Sequence, residues 1–167
     1  MPAQQLSATE RETWMLFHGL AYKDDLDTAK LFLIKKPRWS IISGYYAMHN
    51  IAKFYLGKIH GIKVSGEHVH TEAVQALRSA MSETPEKERI IELLSSAEEF
   101  SEIATYRHKA PSILLNIGRK ERKKTQYYNP DFQREEFSLS YAKTASYFLD
   151  SIVTPFIKMM EALANAP

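Results

Sequence analysis

The sequence predicts an all-α protein, an up-and-down bundle of four to six helices, and three observations carry that prediction. The first is the run from Arg38 to Gly61, RWSIISGYYAMHNIAKFYLGKIHG, which as a helix is apolar almost all the way round. Ile41, Tyr45, Met48, Ala52 and Tyr55 follow the 4-3-4-3 spacing of a buried face, and Trp39, Ile42 and Tyr46 form a second stripe beside it. A helix wrapped in this way belongs at the centre of a bundle. Its few polar residues, Ser43, His49, Asn50 and Lys53, must then find partners or line a polar pocket. The second observation is a series of helix start and stop signals along the chain. The third is that no alternating run of strand type, internal repeat or low-complexity tract occurs.

The elements follow in order. Ser7-Ala8-Thr9-Glu10 is a capping box, Ser7 accepting from the first turn and Glu10 reaching back. It opens a helix to about Tyr22, which Asp24 or Asp25 restarts or continues to about Lys35. Pro37 suits the first turn of the central helix, whose end falls near Ile59, ahead of Gly61. Glu67 to Met81 is a third helix. Thr84-Pro85-Glu86 supplies an N-cap, a proline and an acidic first turn to a fourth, with Ile90, Ile91, Leu94 and Ala97 near one side. Pro111 ends or interrupts it, and Ser112 to Lys124 is a short amphipathic piece that grows more basic. Tyr127-Tyr128-Asn129-Pro130-Asp131 is turn chemistry. The last helix, about Ser138 to Ala164, is expected to bury Ala142, Ala145, Leu149, Ile152, Phe156, Met159 and Leu163. Pro155 removes a backbone bond inside it and predicts a kink near Ser151.

Composition bounds the function. A chain of 167 residues is long enough for one core and reads as a single domain, 1–167. Its 44% apolar and 25% charged residues are globular values, and a net charge of +2 advertises neither nucleic acid nor membrane. The absence of cysteine excludes disulfides, thiolate metal sites and a cysteine nucleophile. MPAQQLSATERE has no basic n-region and no apolar core, and no uncharged apolar run approaches the ~18 residues of a membrane span. The expectation is a cytoplasmic protein that needs no membrane.

The most chemically suggestive stretch is the basic segment 118–128, ahead of the last helix. Five cations fall in the six positions Arg119 to Lys124, beside Tyr127 and Tyr128. Arg119, Arg122, Lys123 and Lys124 suit phosphates, and the two tyrosines suit stacking on a base. A solvated helix end, where cations complement the helix dipole, is the plain alternative. Among the histidines, His68 and His70 are two apart and fall on different helical faces, which makes joint metal binding awkward. His49, on the apolar helix, reads as a core or interface histidine, with Lys53 one turn on. Glu98, Glu99 and Glu102 lack the paired Glu-x-x-His elements of a di-metal bundle and read as a solvated acidic face. No metal and no cofactor is expected.

Two stretches resemble the first two helices of HEPN-domain proteins. Asp25 to Leu33, within KDDLDTAKLFL, is similar to that family's DL-x-x-A-x-x-LL helix, and SGYYAM on the central helix to its small-aromatic run. The resemblance extends over roughly Leu20 to Met160. It implies a helical bundle that pairs as a homodimer. Many such proteins work beside a nucleotidyltransferase-like partner in toxin–antitoxin or defence modules, and others bind nucleotides. Ribonuclease members carry an arginine, four to six variable residues and a histidine late in the bundle. There the arginine steadies the scissile phosphate and the histidine moves the proton, as its pKa of roughly 6.5 allows.

Here Arg122 is followed after four residues by Tyr127, whose unperturbed pKa near 10 makes it a poor base. Arg107 is followed directly by His108, and Arg11 with His18 has the right gap but lies in the first helix. The reading is therefore a non-catalytic HEPN-like domain that binds a nucleotide, RNA or a nucleotidyltransferase-like partner. Two alternatives stay open. One is a metal-independent ribonuclease toxin with a displaced base, using Arg107 with His108 or Arg122 with Tyr127. The other is a helical interaction module without a ligand.

If segment 118–128 is a nucleic-acid site, alanine at Arg119, Arg122, Lys123 and Lys124 flattens the salt dependence of RNA binding. Alanine at Tyr127 or Tyr128 instead costs roughly 1–3 kcal/mol per lost stacked base at an unchanged salt slope. Titrations of short RNA over a salt series separate the two classes, and no binding at low salt reduces the segment to a solvated helix end.

Overall fold

The computed structural model describes residues 4–66, 68–105 and 142–166. These residues are all-α, with helices α1 (Ala8–Phe32), α2 (Pro37–Tyr55), α3 (Val69–Ala80), α4 (Pro85–Thr105) and α5 (Thr154–Ala164). The last is reached from helical residues 142–148 through a π turn, Leu149–Val153.

The capping box forms as its sequence demands: Ser7 Oγ accepts from Glu10 N–H, and the Glu10 carboxylate accepts from Ser7 N–H at 3.0 Å. From there α1 runs unbroken past Asp24 and Asp25 for 25 residues. Several polar contacts fix it to its neighbours, two of them far along the helix. The Ser40 hydroxyl donates to Ala29 O at 2.6 Å, and the Tyr22 hydroxyl donates to Glu161 Oε1 on α5 at 3.1 Å.

Helix α2 packs against α1, α3, α4 and α5, and its stripe of Ile41, Tyr45, Met48, Ala52 and Tyr55 is buried. The second expected stripe differs. Ile42 is half-buried, while Trp39 and Tyr46 are 49% and 48% exposed. The neighbours of α2 cover the Ile41 side and the Ala47–Ile51 side, and leave the side that Trp39 and Tyr46 share partly open, with His70 of α3 against the Tyr46 ring at 6.1 Å. Both rings are amphipathic and tolerate half-burial, and the Arg38 guanidinium lies 5.6 Å from the Trp39 ring.

The end of α2 sets the path of the next residues. Its helix widens into a π turn, Leu56–His60, and stops at Gly61, whose φ of 66° is left-handed and natural only to glycine. The chain then forms strand β2 (Ile62–Lys63), antiparallel to β1 (Gln4–Gln5), with Gln4 opposite Lys63 and Gln5 opposite Ile62. Strands of two residues are too short to leave an alternating pattern in the sequence. Within the π turn, Gly57 lets Trp14 of α1 come against the backbone; a Cβ there would sit 2.5 Å from Trp14 Cδ1.

At the other end of the chain, Pro155 cannot supply a backbone N–H, and the helix adopts π spacing over Leu149–Val153 beside it. Ile152 and Phe156 are buried as expected, but the structure then buries Met160 and Ala164, each four residues on, where the sequence predicts Met159 and Leu163, which are half-buried. Among the described residues no helix is long and apolar enough to cross a membrane.

Replacing Gly57 by alanine is expected to destabilise the protein by about 1–3 kcal/mol by overpacking and to push Trp14 aside. A lowered Tm and a changed emission spectrum, measured in a Trp39→Phe background, report the two effects. An alanine variant with unchanged Tm and emission shows that the close approach relaxes freely.

Candidate functional site

Where the first half of α1 passes over the end of α2 and β2, the structure leaves a cleft of about 640 Å³. That is within the range of small-molecule sites. Trp14, Phe17 and His18 line it from α1, Lys53 from α2, and Lys63 and Val64 from β2 and the residue after it. Trp14 is held in place because its Nε1–H donates to Lys53 O at 3.1 Å and its ring rests on Gly57. Lys63 Nζ stands 5.9 Å from the Trp14 ring centroid, a cation–π distance. Phe17 remains 64% exposed. Glu10, also in the lining, is occupied by Ser7, and those hydrogen bonds hold its carboxyl below the usual range.

Lys53 brings the strongest electrostatic feature. It is half-buried, and desolvation lowers its pKa from the ordinary lysine value. Among the described residues no carboxylate pairs with it. Its charge is felt by three imidazoles, His18, His49 and His70, each depressed first by burial and also by Lys53.

Behind the cleft wall runs a hydrogen-bonded chain. His18, 5% exposed, shares a 2.7 Å bond between its Nδ1 and Asn50 Oδ1. Asn50 Nδ2–H donates to Asp25 Oδ2 at 2.8 Å. The His18 ring meets Trp14 and Phe17 edge-on, at centroid distances of 4.3 and 4.9 Å. Burial pushes the His18 pKa down to about 4, so the ring is neutral near pH 7, while desolvation raises Asp25 above the usual carboxylate value.

On the α3 side of α2, His49 and His70 touch with ring centroids 4.1 Å apart and planes at 81°. Tyr45 packs on both, at 4.5 and 5.2 Å. His49 is 2% exposed, and the Nδ1 atoms of both rings are buried without a hydrogen-bond partner among the described residues. A buried imidazole without an acceptor is tolerable only while neutral, and the His49 pKa lies well below the ordinary value for that reason. Above this pair, desolvation raises the Tyr45 hydroxyl, helped by the charge of Glu98.

The four polar residues of α2 therefore face different neighbours. Asn50 points to α1, His49 to α3 and Lys53 to the cleft, while Ser43 is half-buried two turns before Asn50 on the same side. His70 lies in the first turn of α3, with its ring against His49. Arg107, His108, Arg119, Arg122, Lys123, Lys124, Tyr127 and Tyr128 lie outside the described residues, as does the whole segment 118–128. From the sequence, Trp14, Asp25 and Lys63 receive no site role, and His18 is set aside with Arg11 for lying in the first helix. Trp14, His18, Tyr22, Asp25 and Ala29 follow the 4-4-3-4 spacing of one helical face. Two polar residues inside such a stripe are the signal that was there to read. Among the described residues no group of three or more His, Cys, Asp or Glu side chains is placed to hold a metal ion. No family model, curated protein or solved structure matches this chain.

The depressed histidines make stability pH-dependent with a fixed sign. His18, His49 and His70 bind protons in the unfolded chain from about pH 6.5 downward but resist them when folded. Stability is thus lost as pH falls from about 6.5 toward the folded values, about 4 for His18. Asp25 and Glu98, both raised, act in the opposite direction at the acid end. A His49→Gln variant is expected to lose less Tm between pH 7 and pH 5 than the unmodified protein. Parallel Tm–pH curves for the two proteins would show that His49 protonates as freely folded as unfolded.

Proposed function

We propose that this protein is a non-catalytic HEPN-like helical domain that binds a nucleotide in the cleft between α1, α2 and β2. The observation that carries the reading is Lys53, a half-buried ammonium at the cleft with no carboxylate partner among the described residues. A desolvated cation without a counter-charge is a preformed seat for an anion, and a phosphate supplies charge and several acceptor oxygens at once. Lys63 adds a second cation, and Trp14 with Phe17 supplies aromatic surface on which a base stacks. The homodimer that the HEPN resemblance implies finds support on α1. Its outer face carries Leu16, Leu20 and Leu31 at 66%, 62% and 75% exposure, more apolar surface than a lone helix face needs to leave in water. RNA and a nucleotidyltransferase-like protein within a toxin–antitoxin or defence module remain the broader partner classes of the same reading.

Adenosine monophosphate titrated at low salt is expected to bind and to raise Tm. Lys53→Gln should weaken binding about tenfold or more, the scale of one charged hydrogen bond. Lys53→Met should abolish binding yet raise the Tm of the free protein, because it removes a desolvated charge. Undiminished affinity in both variants overturns the assignment of Lys53, and no binding of any mononucleotide overturns the function.

A further inference from the structure

The chain from Asp25 through Asn50 to His18 determines more than the position of a ring. A carboxylate accepts hydrogen bonds and does not donate them, so Asp25 Oδ2 must face the amide nitrogen of Asn50. That turns Asn50 Oδ1 toward His18, where it too is only an acceptor. The bond at 2.7 Å then needs its proton on His18 Nδ1. The neutral imidazole carries one N–H, so Nε2 is left as a bare lone pair. Among the described residues nothing hydrogen-bonds Nε2, and the ring lines the cleft.

We propose that His18 Nε2 is a fixed hydrogen-bond acceptor of the cleft, that Asp25 and Asn50 are the positioning residues which lock its tautomer, and that the cleft selects a ligand with an N–H or amino donor at that wall. The ligand half rests on the nucleotide-binding reading; the tautomer half stands without it. The inference fits the surroundings in three ways. Trp14 and Phe17 meet the His18 ring edge-on, so two aromatic walls hold its plane. With its pKa near 4 the ring does not become a donor near neutral pH. Lys53 discourages a second proton on the imidazole while attracting an anion to the same cleft. A cation and a lone pair side by side match a phosphate-bearing molecule whose planar group carries an amino donor. They do not favour one whose planar group offers acceptors alone.

The first measurement needs no ligand. Long-range proton–nitrogen NMR of the unmodified protein at pH 7 is expected to show His18 with the proton on Nδ1 and a bare Nε2. A proton on Nε2 overturns the proposal. In Asp25→Ala the amide of Asn50 is released to turn over, and His18 is expected to populate both tautomers; an unchanged spectrum shows that Asp25 does not position it. The second measurement compares adenosine monophosphate with purine riboside monophosphate, which lacks the amino group. The first should bind roughly tenfold tighter, one hydrogen bond's worth, and His18→Phe should remove the difference. Equal affinities for the two ligands overturn the donor preference. Binding of neither overturns the nucleotide reading and the ligand half with it, while the tautomer is decided by its own spectrum.

Discussion

A helix packed against four others leaves a polar side chain unanswered only at a cost, and that constraint on α2 organises the molecule. Burying an amide or a charge without a partner costs several times more than a typical hydrogen bond returns. Two of the polar residues of α2 fix something outside themselves. Ser40 ties the start of α2 to the Ala29 carbonyl on α1. Asn50 draws Asp25 and His18 of the same helix toward it, seven residues apart and so on one face. These bonds lie along the α1–α2 contact and set which face of α1 points inward. Trp14, on that face, is then delivered to Gly57 and becomes the wall of the cleft.

The sequence makes the helices legible because their signals are local. The Ser7–Glu10 box, Pro37, Thr84 and Gly61 each act within a turn of chain, and each is found where its chemistry places it. What sequence misses is what depends on the third dimension. Trp39 and Tyr46 carry the same apolar signal as Ile41, yet each stays about half exposed, Tyr46 with only the edge of His70 against it. Met159 and Met160 stand three and four residues after buried Phe156, and both spacings are helical, so only packing decides for Met160. The candidate site was less legible still. Lys53 and His49 stand out as polar residues on an apolar helix, but their partners do not. His70 stands in the first turn of α3, and nothing local tells that its ring packs on His49. His18 looks misplaced when measured against an arginine-histidine spacing, and takes its meaning from an amide thirty-two positions away.

Stability and site geometry pull against each other around Lys53. A domain shaped for stability alone would place an apolar residue there, and would give the two Nδ1 atoms of His49 and His70 acceptors. Instead the ammonium holds three imidazoles neutral by its charge while burial holds them neutral by desolvation. Local conflicts of this kind concentrate where a chain does something besides fold.

The three polar residues between His49 and Lys53 are answered to different degrees, and the differences rank them. Asn50 is matched on both sides, as acceptor to His18 and as donor to Asp25, and needs nothing further. His49 is answered by losing its charge, which leaves an unfilled nitrogen but no unbalanced field. Lys53 resists the same solution, because a lysine begins roughly four pKa units above a histidine and stays charged near neutrality unless its shift is very large. Its depression comes from burial alone, with no like charge pressing on it. Of the three it alone keeps a charge that the described residues leave unbalanced, and it alone opens on a cleft with room for a molecule. On the proposed reading the balancing charge is the ligand's phosphate, and Trp14, Phe17, His18 and Lys63 line the same cleft around it.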